Sequence, residues 1–121
     1  MGREKNAMPK TVFIDTNKLP RTRGAQGEFT EILNERLAGA KNVLGVLRWL
    51  GSGEQFKADA CDKHQLIYLM EGKGIARLGN EEHPVSKGMG LYLGCSESAI
   101  LQAASGGSMK LLHLIVPPIP R

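Results

Sequence analysis

Cysteine, aromatic residues and long apolar runs are all scarce in this sequence. Two cysteines among 121 residues, Cys61 and Cys95, cannot staple a disulfide scaffold, so the fold has to rest on a hydrophobic core and both thiols are expected to be free. No apolar run reaches membrane-spanning length, and the opening MGREKNAMPK has no apolar stretch of the signal-peptide kind. Gly2 follows Met1, but Asn6 stands where a myristoylation motif needs Ser or Thr. Aromatic residues make up only 5% of the chain, and the basic stripe interleaved with aromatics that marks a nucleic-acid binder is missing. These absences point to a cytoplasmic protein with neither membrane nor nucleic acid as partner.

What is abundant is glycine, with 15 residues spaced between short apolar runs. Such punctuation implies many turns and β structure. The net charge of +4 is uneven: residues 1–28 carry six Lys/Arg against three Asp/Glu, and residues 29–121 carry ten against nine. This divides the chain into a basic arm with a first strand over 1–28 and a nearly neutral single domain over 29–121. Its length suits one compact core.

Along the chain, TVFID (Thr11–Asp15) predicts a short strand and TNKLPRTRGAQG a polar loop. In FTEILNERLAGA, Phe29, Ile32, Leu33 and Leu37 fit helical spacing, yet the β-branched residues also allow a strand, so both readings stand for 29–37. NVLGVLRWL reads as a buried strand, with Trp49 in the core. QLIYLMEG predicts a strand closed by Gly72, and GIARLGNEEHPV a hairpin turning at GNEE. GLYLG and AILQAA are short strands, GGS is a tight reversal, and MKLLHLIV is a last strand before the extended PPIPR. Short strands at regular spacing with no helix pattern between them mean a sandwich or barrel.

Residues 42–117 resemble the cupin family of small barrels. The family's first motif, G-x5-H-x-H-x3-E-x6-G, is matched in spacing by Gly53, Asp59, Cys61, Gln65 and Gly72. The second, G-x5-P-x-G-x2-H-x3-N, starts at Gly88 and places Gly94, Ser96, Ala99 and Ala103 at its remaining positions. The resemblance implies an all-β fold, a double-stranded β-helix of the jelly-roll barrel type, and a homodimer. It also implies that the four metal-ligand positions are Asp59, Cys61, Gln65 and Ala99. Alanine offers no donor atom, glutamine offers a neutral carbonyl, and carboxylate with thiolate is a mismatched pair for any one ion. No metal and no cofactor are therefore expected at this degenerate site.

Strand alternation places Asp59 and Cys61 on one face, pointing into the barrel, and turns His64 outward. His83, beside a hairpin turn, reads as solvated. His113 shares a face with Leu111 and Ile115, so it is either an imidazole inside the barrel or one packed against an outer sheet. Cys61 fits a nucleophile or a small core residue, Cys95 a structural position in the second motif's turn, and Tyr68 and Tyr92 fit a pocket wall or a dimer face.

The function expected is binding of a small polar metabolite by Asp59, Cys61, Gln65 and His113, with Asp59 and Cys61 as catalytic candidates for a metal-free isomerase, cyclase or lyase step. Two other classes remain open. One is a metal-dependent enzyme of dioxygenase or hydrolase type with substituted ligands, and the other a non-catalytic sensor or interaction protein. Partners expected are a small molecule and a second copy of the chain.

Overall fold

A computed structural model describes residues 11–117. Nine antiparallel strands follow one another as β1 (Thr22–Gly24), β2 (Gly27–Leu33), β3 (Leu44–Leu50), β4 (Gln55–Ala58), β5 (His64–Leu78), β6 (Glu81–Ser86), β7 (Gly90–Leu93), β8 (Ala99–Ala103) and β9 (Met109–Val116). The hydrogen-bonded order is β1-β2-β3-β9-β5-β8-β4, with β6 and β7 also paired to β5.

The long strand β5 explains the shape. Its first half pairs with β9 and β7, and its second half with β8 and β6, so it belongs to both sheets. The transfer happens at a register shift between Leu69 and Glu71, followed by Gly72 at φ 90°. A Cβ on Gly72 would overlap the Ser108 carbonyl oxygen, and one on Gly74 the Gln102 carbonyl. Only glycine lets the two backbones approach this closely. QLIYLMEG is thus not closed by Gly72 but continues through it.

The two sheets face each other and bury Leu50, Phe56, Ile67, Leu69, Leu101, Met109 and Leu111 between them. Alternation along β5 (Gln65, Ile67, Leu69) and β9 (Met109, Leu111, His113) sets the inward face. Full burial of a leucine such as Leu111 or Leu50 contributes about 1.5–3 kcal/mol.

The GIARLGNEEHPV hairpin forms as expected, with Leu78 opposite Glu81 across a two-residue turn. The ambiguous 29–37 segment is both things in sequence: β2 runs to Leu33, and a four-residue helix follows at Glu35–Ala38. Asn34 caps that helix by accepting from the Leu37 amide, and left-handed Gly39 ends it.

Three further expectations are corrected. The strand expected at Thr11–Asp15 is not formed; residues 11–15 are irregular, and Asp15 caps a single 3-10 turn at Thr16–Lys18. Trp49 is not in the core. It lies on the outer face of β3 with the Arg21 guanidinium 3.8 Å above its ring. Part of the segment read as a polar loop also joins the sheet, since Thr22–Gly24 pairs with Gly27–Phe29.

Candidate functional site

The barrel interior divides into two environments. One is a buried polar chain around His113, and the other an apolar chamber between β6 and β7.

His113 is 3% exposed and Gln65 2%, and neither is solvated. The imidazole Nε2 lies 2.7 Å from Gln65 Oε1, while Arg48 Nε donates to His113 Nδ1 at 3.3 Å. An acceptor at Nδ1 requires the proton on Nε2, so the neutral imidazole donates to Gln65. Gln65 Nε2 then donates to the backbone carbonyl of Asp59 at 2.9 Å and approaches Cys61 Sγ at 3.6 Å. The side-chain donors of His113 and Gln65 each meet an acceptor, the condition under which a buried polar network is tolerated.

Protonating His113 would place a second N–H against the Arg48 donor. Burial, with the adjacent Arg48 charge, pushes the His113 pKa down to about 4. Arg48 is itself lowered to about 10 by burial, partly opposed by Glu31, and stays charged at neutral pH. Its guanidinium lies 3.9 Å from the Phe56 ring centroid and 5.6 Å from that of Phe29. Phe56 also meets the His113 ring edge-on at 5.3 Å. Sequence reasoning missed Arg48, although its parity with Val46 and Leu50 on a buried strand marks it as inward-facing.

The structure therefore brings together Gln65, His113 and Cys61 but not the Asp59 carboxylate. On β4 the inward residues are Phe56 and Ala58, so alternation turns Asp59, the next residue, outward with Gln55 and Lys57. The Asp59 side chain is 81% exposed and its Oδ1 lies 3.7 Å from Lys57 Nζ. Only its main-chain carbonyl enters the network. Cys61 is half-buried and Cys95 exposed, and both are free thiols. His64 points outward, sharing a 2.6 Å hydrogen bond with Tyr92 Oη on the outer surface.

This donor set does not fit a transition metal. Among the described residues no three His, Cys, Asp or Glu side chains converge. His113 has both nitrogens engaged, Gln65 has its oxygen engaged, and inward-facing Ala99 offers nothing.

The second environment is a cavity of about 440 Å³ lined by Ile67, Leu69, Leu78, Leu91, Leu101 and Leu111, with Ala76 and Val85 in its walls and His83, Pro84 and Met89 also lining it. Small Ala76 lies opposite His83 in the β5–β6 register, and the cavity forms in the space they leave. His83 is half-exposed and its Nε2 lies 3.3 Å from Glu81 Oε1. Edge position on β6 explains how one side chain is both solvated and part of the lining. The sequence signal for it was the hairpin register, which puts His83 on the same face as Val85.

With this geometry in view, known structures place the architecture. The chain is similar to a predicted oxalate decarboxylase from Thermotoga maritima, with TM-score 0.75 and 14% identity over 88% of this chain and 100% of that one. It is similar to the polyketide cyclase RemF from Streptomyces resistomycificus, with TM-score 0.74 and 13% identity over 94% and 83%. An RmlC-like cupin from Shewanella frigidimarina gives TM-score 0.72 and 12% identity over 91% and 94%. No family model matches the chain, and no curated protein matches it in sequence. The protein has the cupin fold, an all-β double-stranded β-helix, and among its described residues no helix is long and apolar enough to cross a membrane.

Proposed function

We propose that this cupin barrel binds a small molecule in the chamber between β6 and β7, without a metal. The observation that carries this reading is the chamber itself. Its volume of about 440 Å³ falls in the range of small-molecule sites, and its walls are mostly leucine, isoleucine, alanine and valine, with His83 the one titratable side chain. The ligand class follows from the lining. A polar metabolite would lose its hydration against these walls without recovering hydrogen bonds, whereas an apolar body gains about 25 cal/mol per Å² buried. The four residues first expected to hold a polar ligand have another role in this reading. Gln65 and His113 close the interior beside the chamber and fix its wall, Cys61 accepts from Gln65, and Asp59 contributes only its carbonyl.

The test is titration with N-phenyl-1-naphthylamine, a neutral apolar fluorophore. Saturable one-to-one enhancement is expected, weakened at least about fivefold by Leu91→Trp, which fills the chamber from the edge strand β7. Equal affinity in the variant would refute the chamber as the site.

A second copy of the chain is the further partner supported by the surface. Leu66, Tyr68 and Tyr92 are 41%, 40% and 59% exposed, on the outer face that also carries half-buried Leu112 and Leu114. Sedimentation that gives only a monomer at micromolar concentration would remove the dimer from the account.

A further inference from the structure

We infer that His83, held by Glu81, is the polar recognition point of the chamber, and that it selects neutral apolar compounds bearing a hydroxyl, of the phenol or enol class, over carboxylates. This rests on the chamber reading above and adds what the ligand's polar end must be.

Three observations carry it. First, His83 is placed by register. It stands opposite Ala76 and two residues from Val85 on the inward face of β6, and it is the one titratable side chain in the lining. Second, its ring is oriented by a carboxylate. Glu81, on the same face of the same strand, receives Nε2 at 3.3 Å. With Nε2–H donating to that carboxylate, the neutral imidazole keeps its lone pair on Nδ1, and no group among the described residues bonds Nδ1. The open valence is an acceptor, so the matching ligand group is a donor.

Third, the local charge disfavours an anion. Glu81 and Glu82 are adjacent, and the nearby cation Arg77 is spent on Glu82 at 2.8 Å and on Gln102 Oε1 at 3.0 Å. A ligand carboxylate would meet Glu81, and among the described residues no Lys or Arg lines the chamber to offset it, whereas a hydroxyl brings no charge and supplies the hydrogen that Nδ1 lacks. Met89, half-exposed and also in the lining, adds a soft contact suited to an aromatic ring. The combination is an apolar body in the leucine-lined chamber with one hydroxyl at the β6 edge.

The experiment compares three probes of one shape: 2-methylnaphthalene, 2-naphthol and 2-naphthoate. Each is titrated into the full chain and into His83→Phe and Glu81→Gln, with binding read by probe fluorescence. In wild-type protein 2-naphthol is expected to bind about fivefold tighter than 2-methylnaphthalene, the effect of one net hydrogen bond. The carboxylate is expected to bind weakest. His83→Phe keeps a ring at this half-exposed position and should abolish the preference, so that 2-naphthol and 2-methylnaphthalene bind the variant equally. Glu81→Gln should narrow the penalty on 2-naphthoate.

Equal binding of naphthol and methylnaphthalene, or a preference that survives His83→Phe, overturns the inference and leaves the chamber standing. Failure of 2-methylnaphthalene itself to bind the wild-type chamber refutes the chamber and the inference together.

Discussion

Lowering the pH should destabilise this protein through one residue, His113, and the size of the effect follows from its surroundings. The folded chain holds His113 neutral, with a pKa of about 4 against the ordinary 6.5. The unfolded chain takes up the proton more readily. Stability is therefore complete above pH 6.5 and declines as the pH falls, until the loss is full below 4. The whole shift corresponds to about 3 kcal/mol. Carboxylates also titrate near pH 4, so the informative window is pH 7.5 to 5. Across it, linkage gives a loss of about 2 kcal/mol from His113 alone. Urea denaturation at a series of pH values would show this as a midpoint drop on the order of 1 M. The control is His113→Gln, which keeps a polar side chain at the site without a titrating proton. Its stability is expected to be lower at pH 7.5, because the distances to Arg48 and Gln65 are no longer met, but its decline between pH 7.5 and 5 should be smaller by that 2 kcal/mol. Parallel curves for wild type and variant would refute the reasoning.

Three further outcomes are expected. Gly72→Ala should cost at least about 3 kcal/mol in denaturation, because alanine at φ 90° is strained and its Cβ overlaps Ser108; a loss under about 1 kcal/mol would contradict the sheet transfer at that residue. Thiol labelling of native protein should modify exposed Cys95 faster than half-buried Cys61, whose Sγ lies 3.7 Å from the Lys63 carbonyl oxygen; the reverse order would contradict the placement. Elemental analysis should give well below one transition metal per chain, and stoichiometric metal lost on Asp59→Ala or Cys61→Ser would show a centre rebuilt from those ligands.

Much of the barrel was legible in the sequence because its strands alternate cleanly and glycines mark their ends. The Leu78–Glu81 hairpin is an example, since Gly79-Asn80 is a turn pair between alternating residues. Legibility failed where local pattern and tertiary partner diverge. Thr11–Asp15 has strand composition, but a strand also needs a neighbour, and within residues 11–117 that segment pairs with none. Asp59 reads as inward only if odd-numbered residues face the core, as Gln65 does on β5, but on β4 the core takes the even ones, Phe56 and Ala58. Trp49 alternates with Leu47 on one face of β3, but that face is the outside of the sheet, where Arg21 covers the ring. His113 could be placed on the face of Leu111, yet not assigned a role, because its partners Arg48 and Gln65 come from strands 65 and 48 residues away. His83 reads as a solvated residue beside a hairpin turn, and its side chain is indeed half-exposed. Its place beside the chamber depends on the register against Ala76 and on a cavity that no local pattern encodes.

The central claim, that the space between β6 and β7 is the ligand site, is tested most directly by a methyl-resolved NMR titration with 2-naphthol. The expected result is saturable shifts at Ile67, Leu69, Leu78, Leu91, Leu101 and Leu111, with Leu47, Leu112 and Leu114 on the outer face unmoved. Shifts confined to the outer-face methyls, or none at millimolar probe, would contradict it.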